Sequence, residues 1–255
     1  MNINVHVPVT INSIEYYKQL CANHLEWSSG KRSITFIAYC LGNEVDKALA
    51  EHELTLDTVV LPGCRGPDAH ASSVRAIIAR TNKLDITVIA DSDTFLLARN
   101  WDDAIVDFIK NGVGVVGTAF YPSATTDPQP YAGKPNTNWL ALSPKFSWRK
   151  LGVTPFVGHN TNVDTESKSQ LWNIPIGSQL VRNVAWQIPE YLHSNKIPFE
   201  CLFLKSNDKF EEYVLPNGTS FVARMLASSK YVSKDLQSTS DAFYSACTDF
   251  VCMTT

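Results

Sequence analysis

Two aspartates that follow an apolar run are the residues of this chain best suited to chemistry. Asp91 and Asp93 come directly after residues 86–90, which are all apolar or β-branched and therefore predict a buried strand. In an open α/β sheet, ligands bind at the carboxyl ends of the strands. Carboxylates in such a place are too costly to bury unpaired. A divalent cation that prefers oxygen ligands, Mg²⁺ or Mn²⁺, would neutralise them.

Aspartate is also common at strand ends for reasons of backbone conformation, so the pair by itself does not define a metal site. The flanking sequence favours the metal. An apolar strand precedes the pair, and a helix follows it, with Asn100 as its N-cap and with Asp102 and Asp103 in its first turn,.

Strands and helices alternate through the first half of the chain, which predicts a parallel sheet covered by helices. Residues 33–39 are the first predicted core strand. The other elements predicted in this half are helices 13–27, 44–52 and 70–81 and strands 55–61 and 113–117. The predicted fold is a single α/β domain with a Rossmann-type, mostly parallel central sheet.

The second half is less regular. Residues 121–137 contain four prolines and no apolar periodicity, which is typical of a functional loop or lid. Further on, the sequence predicts strand 138–143, a polar loop over 153–168, helix 178–192 interrupted by Pro189, strand 198–204, a turn at 217–218 and helix 220–229.

Composition excludes several classes of protein. The 255 residues are 44% hydrophobic and 18% charged with a net charge of −3, which predicts a globular domain,. The overall charge gives no sign of nucleic-acid binding but leaves a local basic groove open. The six cysteines have no metal-type spacing and are expected to be reduced. Residues 1–14 lack the features of a signal peptide. No stretch approaches the ~18 apolar residues of a membrane span, so we expect a soluble, cytoplasmic protein.

Three stretches resemble the GT-A glycosyltransferases, most closely their family-2-like group. Residues 34–39 look like the strand that meets the nucleoside in that fold. Residues 71–79 are similar to the helix that precedes the metal strand, and residues 88–93 match the Asp-x-Asp motif. The resemblance covers roughly residues 33–145 and implies a GT-A-like fold, with a nucleotide-binding half at about 33–120 and an acceptor-binding half at about 121–230.

The resemblance implies transfer of a sugar from a nucleotide-sugar donor, a UDP-sugar, to an acceptor hydroxyl with a divalent metal, Mn²⁺ or Mg²⁺. In that case Asp93 is the direct metal ligand, and Asp91 lies nearer the ribose or a bound water. The remaining donor contacts implied are Ser92 in the same motif, Arg75 at the phosphates, Tyr39 stacked on the base, and Asp68 at the base or ribose.

Inverting members of the family use a late carboxylate near the start of a helix as general base. Asp164 and Glu166 are the candidates here, with Asp164 preferred. Trp139 would lie beside the acceptor, and His159 is the nearest substitute for the late metal-binding histidine. The chain also departs from the family, because residues 61–64, Leu-Pro-Gly-Cys, replace the usual Asp-Asp-x-Ser.

Two other interpretations stay open. Residues 91–94 also resemble the first motif of haloacid-dehalogenase-like phosphatases, in which Asp91 would attack phosphorus and Asp93 would act as acid and base. Thr118 and Lys134 could serve as the intermediate motifs of such an enzyme. Alternatively, the chain is a nucleotide-binding module without turnover. The acceptor of a transferase is equally open between glycans, lipids, proteins and modified nucleic-acid bases, such as the hydroxymethylated DNA base of a viral or bacterial tailoring enzyme.

Overall fold

A mixed sheet with helices on both faces forms the centre of the molecule. The computed structural model describes residues 1–51, 57–61, 66–120, 130–153, 160–181, 183–205, 210–225 and 241–249, with the backbone alone at 66–68. The strands of the main sheet are β1 (Ile3–Val9), β2 (Ile34–Cys40), β3 (Asp57–Val60), β4 (Ile86–Ala90), β5 (Thr94–Leu96), β6 (Val115–Ala119), β7 (Pro135–Leu142), β10 (Phe199–Lys205), β11 (Glu211–Val214) and β12 (Ser220–Arg224). A separate hairpin consists of β8 (Asn160–Asn162) and β9 (Gln179–Val181).

The helices lie between these strands in the chain. They are α1 (Ile14–Glu26), α2 (Asn43–Glu51), α3 (Gly66–Arg80), α4 (Trp101–Lys110), α5 (Glu166–Trp172), α6 (Gln187–Ser194) and α7, residues 241–249. None of the helices that the structure describes is long and apolar enough to cross a lipid bilayer.

The strand order begins β3-β2-β1-β4-β7-β6-β10. Six of these seven strands run in one direction, and β7 alone among them runs the other way. The predicted α/β fold with a mostly parallel central sheet is therefore confirmed. The sheet then continues through the antiparallel strands β11, β12 and β5.

The first strand corrects the sequence analysis, which placed the first core strand at residues 33–39. β1 precedes it and lies at the centre of the sheet, between β2 and β4. Its polar residues hide it in the sequence, since Asn4 and His6 interrupt the apolar run. His6 is nevertheless buried, and its Nδ1 lies 3.2 Å from the hydroxyl of Tyr39.

The core has one layer on each face of the sheet. Such burial on both faces explains why every residue of β4 is buried and either apolar or β-branched,. On one face the helices α1, α2, α4 and α7 contribute Tyr17, Leu20, Val45, Leu49, Ile105, Val106, Phe243 and Cys247. On the other face α3 and α6 contribute Val74, Ile77, Ile188 and Leu192. Among the described cysteines, Cys21, Cys40, Cys201 and Cys247 are free thiols in the core, as predicted.

Several predicted elements of the second half are wrong. Helix 178–192 is in fact β9 followed by α6, and Pro189 lies in the first turn of α6, where a missing N–H does no harm,. Helix 220–229 is the strand β12, and the loop 153–168 contains β8 and the start of α5. α3 begins at Gly66 rather than at residue 70. In the proline-rich segment 121–137, residues 121–129 lie outside the described residues, and β7 begins at Pro135.

Candidate functional site

The two aspartates occupy a tight turn at the carboxyl end of β4. The backbone N–H of Asp91 donates to the carbonyl of Asn138 at 2.7 Å. The N–H and the hydroxyl of Thr94 donate to the Asp91 carbonyl at 3.2 and 2.8 Å, so β5 starts immediately after the turn. Asp91 is half-buried, and Asp93 is 4% exposed. The predicted position of the pair, at the end of a buried strand, is confirmed.

One end of the sheet returns to this turn beside the interior strand β4. β5 follows β4 after three residues, but it lies at the far end of the strand order, where it pairs with β12. In this pairing Arg224 is opposite Thr94, and the N–H of Met225 donates to the carbonyl of Asp93 at 3.2 Å. The curvature of the sheet therefore brings the end of β12 onto the Asp-x-Asp turn.

Arg224 is the cation of this corner. Its Nη2 lies 3.4 Å from Oδ2 of Asp91, its Nε lies 3.8 Å from Oδ2 of Asp93, and its Nη1 lies 3.4 Å from Oε2 of Glu211 on β11. Burial lowers the pKa of Arg224, but attraction from Asp93, Asp91 and Glu211 outweighs that effect and raises the pKa above its ordinary value. The guanidinium is thus a permanent positive charge among three carboxylates.

Polar side chains of neighbouring strands complete this acid corner, which we define as Asp91, Asp93, Glu211 and Arg224. With its amide oriented to suit its neighbours, Asn138 donates to Oδ2 of Asp91 at 3.3 Å and accepts from Nη1 of Arg224 at 3.1 Å. The hydroxyl of Tyr213 donates to Glu211 at 3.1 Å, and burial raises the pKa of that hydroxyl.

A histidine approaches the corner from the helix side. His70, on α3, has its Nε2 at 3.5 Å from Oδ1 of Asp91. That nitrogen is buried and makes no hydrogen bond to any residue that the structure describes. His70 could not be recognised as a site residue from the sequence, because a lone histidine near the start of a helix gives no indication of its neighbours in the fold.

The sequence did contain a signal for the strand that carries Arg224. Asn217 and Gly218 lie between two apolar segments, and Asn-Gly in that setting is the strongest short-range sign of a β-hairpin. The structure has this hairpin between β11 and β12, with Gly218 at φ +83°, a conformation that favours glycine,. If residues 220–229 are taken as the second strand of this hairpin, Arg224 lies opposite Glu211 on the first strand.

Tyr39 and Arg75 are not at the corner. Tyr39 is fully buried, where it contacts His6 and lies under the guanidinium of Arg80 at 5.8 Å. Its predicted stacking on a base stays a prediction. Arg75 is exposed on α3. It follows His70 by five residues, which is about 140° around the helix, so it projects from a different face of α3. The predicted phosphate contact of Arg75 stays a prediction. The side chain of Asp68 lies outside the described residues.

Trp139 is a residue of the hydrophobic core. It is fully buried on β7, packed edge-on against Trp101 and Phe221 with ring centroids 6.2 and 5.5 Å away. Its indole N–H points to Nε2 of His24 at 3.3 Å. Trp139 has no exposed surface in this structure, and its predicted acceptor contact stays a prediction.

The predicted general bases lie at the start of α5. Asp164 is 61% exposed and accepts a hydrogen bond of 2.8 Å from Lys168, which lowers the pKa of Asp164. Glu166 is also exposed and accepts from Gln170 at 3.2 Å. Their roles as bases stay predictions. His159, the predicted third metal ligand, lies outside the described residues.

The residues of the acid corner that could hold a divalent ion are carboxylates, and they do not form a complete set of ligands. In the described part of the chain, no group of three or more His, Cys, Asp or Glu side chains is placed to hold a metal. Mg²⁺ is typically bound by one or two carboxylates and completed by substrate phosphates and waters. Three carboxylates around one guanidinium have a formal charge of −2, which a divalent cation would balance.

Comparison with known proteins finds similarity at the level of structure. No protein-family model matches the chain, and no curated protein matches its sequence. Among solved structures, a mannosyltransferase from Pyrobaculum calidifontis in complex with GDP-Man and Mn²⁺ matches with 17% identity and a TM-score of 0.42 over 62% of this chain and 48% of that one. TarS 1–349 from S. aureus in complex with UDP matches with 15% identity and a TM-score of 0.36 over 51% of this chain and 39% of that one.

A third match covers more of the molecule. Glucosyl-3-phosphoglycerate synthase from Mycobacterium tuberculosis in complex with UDP has 14% identity and a TM-score of 0.44 over 81% of this chain and 72% of that one. The chain spans less than half of the length of the first two structures.

Proposed function

We propose that this chain is a glycosyltransferase that moves a sugar from a nucleotide-sugar donor, a UDP-sugar, to an acceptor hydroxyl. The observation that carries the proposal is the placement of Asp91 and Asp93 in one turn at the carboxyl end of β4, with Arg224 held against them. This is where an open α/β sheet binds its ligand. In the proposal, residues of about 33–120 and 121–230 serve the donor and the acceptor respectively.

The chemistry of the leaving group explains why such a corner is useful. When the bond from the sugar to the diphosphate breaks, negative charge develops on the phosphate oxygens, and fixed positive groups lower the barrier. Arg224 supplies a guanidinium, which matches phosphate oxygens and stays charged. Glu211 and Asn138 hold that guanidinium in place from two sides.

Asp91 and Asp93 are the residues that would hold a divalent cation, Mn²⁺ or Mg²⁺, with Asp93 as the direct ligand. When bound, the cation would supply Lewis-acid stabilisation of the departing diphosphate. The residues of the chain contribute the rest of the step. Arg224 binds the phosphates, and the buried turn between β4 and β5 excludes water from one side of them.

We further propose an inverting reaction with Asp164 as general base and Glu166 as the second candidate. The acceptor hydroxyl has to lose a proton as it attacks the anomeric carbon, and a carboxylate within hydrogen-bond reach can take it. Asp164 is accessible to an acceptor, since it is exposed and its partner Lys168 comes from the same surface. Its bond to Lys168 would have to open for the proton to be accepted.

The phosphatase alternative gains no support from the described contacts. Thr118 is buried, and its hydroxyl contacts Asn136 at 3.3 Å. The Nζ of Lys134 lies over the ring of Trp172 at 5.5 Å. The residues required for the intermediate motifs thus make other contacts. Asp91, the nucleophile of that mechanism, is paired with Arg224.

Calorimetry with UDP and GDP, with and without Mn²⁺, tests the proposal. We expect metal-dependent binding to the unmodified chain and a loss of at least about tenfold in affinity for Asp93→Ala. Asp107→Ala is the matched control, because Asp107 is an exposed acid on α4 and should leave binding unchanged. Equal affinity in Asp93→Ala would remove the donor site from this turn. Hydrolysis of an aryl phosphate that Asp91→Asn abolishes would replace the transferase with the phosphatase.

A further inference from the structure

Arg224 is placed as a counter-ion rather than as a member of a tight salt bridge. Charge-assisted hydrogen bonds between an arginine and a carboxylate are usually about 2.7–2.9 Å long. Arg32 forms such bonds in this molecule, at 2.8 Å to Asp102 and 2.6 Å to Asp103. The distances from Arg224 to its three carboxylates are 3.4, 3.8 and 3.4 Å. Its charge is shared among the acids without being committed to one of them.

The backbone fixes this arrangement. Arg224 is in register with Thr94, and the following residue donates to the carbonyl of Asp93. The side chain of Arg224 is 21% exposed, and its Nε is buried without a hydrogen bond to any described residue. The positive charge is therefore held beside the turn.

A divalent cation that enters this corner without a substrate meets two disadvantages. The guanidinium of Arg224 cancels part of the attraction from the three carboxylates, in a partly buried place where electrostatic interactions are stronger than in water. The cation also finds no set of three protein ligands among the described residues, so most of its coordination has to come from outside the protein.

A diphosphate removes both disadvantages together. Its oxygens can complete the coordination of the cation, and the same group can accept hydrogen bonds from a guanidinium. The negative charge of the diphosphate then lies between the two positive charges and screens them from each other.

On the basis of the proposed function, we infer that Arg224 is the internal counter-ion of the acid corner and makes the binding of a divalent cation depend on a nucleoside diphosphate. Arg224 is in this sense a binding residue that sets the order of assembly. The chain holds cation and donor as a ternary complex and holds the cation poorly by itself.

Titration of Mn²⁺ into the full chain, followed by calorimetry and by the spin-resonance signal of free Mn²⁺, tests this inference. For the unmodified chain we expect UDP to tighten Mn²⁺ binding by at least about tenfold. In Arg224→Met, Mn²⁺ alone should bind at least about tenfold more tightly than to the unmodified chain, and the effect of UDP should shrink. Unchanged or weaker binding of Mn²⁺ alone in Arg224→Met would overturn the inference.

Further variants separate charge from folding. Arg224→Lys keeps the charge and should behave like the unmodified chain, and Arg99→Met is the control, since Arg99 packs over Trp27 instead of the acids. If Arg224→Met does not fold, Glu211→Gln provides the answer, because removal of one negative charge should weaken the binding of Mn²⁺ alone. A Lys variant that matches the Met variant, or a Gln variant with unchanged Mn²⁺ affinity, would contradict the charge argument.

Inorganic pyrophosphate distinguishes the inference from the proposed function. If pyrophosphate tightens Mn²⁺ binding but UDP and GDP do not, the coupling through Arg224 holds and the nucleotide-sugar donor is wrong. If UDP binds with Mn²⁺ but Arg224→Met leaves the Mn²⁺ affinity unaltered, the donor site stands and the role of Arg224 falls.

Discussion

Replacing Asp102 with alanine is expected to loosen the connection between the turn at residues 28–33 and the first turn of α4. Asp102 is fully buried. It accepts from the N–H and the hydroxyl of Ser29 at 2.7 and 2.6 Å, and from Arg32 at 2.8 Å. One carboxylate therefore connects a loop to the helix that follows β5. β5 itself begins directly after the turn that contains Asp91 and Asp93.

The size of the effect follows from these contacts. Removal of one partner of a buried ion pair costs about 3–5 kcal/mol, because the other charge is left uncompensated. Here Arg32 keeps a second partner, Asp103, at 2.6 Å, so the lower end of that range, about 3 kcal/mol, is expected. For a chain of this size the loss corresponds to a decrease of roughly 6–12 °C in Tm.

The same carboxylate makes stability depend on pH. Burial raises the pKa of Asp102, but the hydrogen bonds from Ser29 and Arg32 outweigh it and hold the pKa below its ordinary value. A group with a depressed pKa in the folded state stabilises the fold above its pKa in the unfolded chain, which is about 3.9. That contribution is lost as the pH falls from there through the folded-state pKa. The difference in stability between Asp102→Ala and the unmodified chain should shrink over this acidic range.

Equilibrium unfolding in urea, at neutral pH and at several acidic values, measures both effects. Asp103→Ala is the matched control. Asp103 also pairs with Arg32, but it is partly exposed, and its second partner is the exposed Lys31. We therefore expect a clearly smaller loss of stability. If the two variants unfold at the same urea concentration, or if the loss in Asp102→Ala does not change with pH, the reasoning from burial is refuted.

Two other perturbations test the placement of predicted site residues. Lys168→Met removes the bond that lowers the pKa of Asp164, so the acidic limb of a pH–rate profile should move to higher pH if Asp164 is the general base; an unmoved limb would exclude that role. Trp139→Phe removes the indole donor at 3.3 Å from His24 and should cost about 1–3 kcal/mol of stability in urea unfolding, with no change in UDP affinity by calorimetry. Loss of UDP binding in a fully stable Trp139→Phe variant would show that Trp139 contributes to the binding site.

The sequence predicted the features of the fold that a single segment determines. The apolar run before Asp91 has to be a strand, and a strand buried on both faces has to be central. β1 escaped because its polar residues are satisfied inside the protein, as the contact between His6 and Tyr39 shows. β12 was missed for the opposite reason. It lies between β11 and β5 in the sheet, and its residues 221–223 are all buried. Such a short, entirely apolar run has no periodicity that distinguishes a strand from a helix.

The candidate site was predicted only in part, because half of it is distant in sequence. Asp91 and Asp93 share one turn and could be recognised together. Their partner Arg224 reaches them only through the register of β12 with β5, and His70 reaches them through the packing of α3. No spacing within the chain reveals such contacts. Trp139 shows the converse, since an aromatic residue suited to a sugar site is in fact enclosed by other rings.

The pairing of β12 with β5 beside the Asp-x-Asp turn also has a consequence for synthesis on the ribosome. Both aspartates leave the ribosome well before β12 exists, and at about 5–20 residues per second the delay is on the order of ten seconds. Throughout that interval the nascent chain lacks the arginine that balances them. Pairing between segments so far apart in the chain also closes slowly. The acid corner is therefore among the last parts of the protein to mature, and a polypeptide released before residue 224 retains both aspartates without their counter-ion.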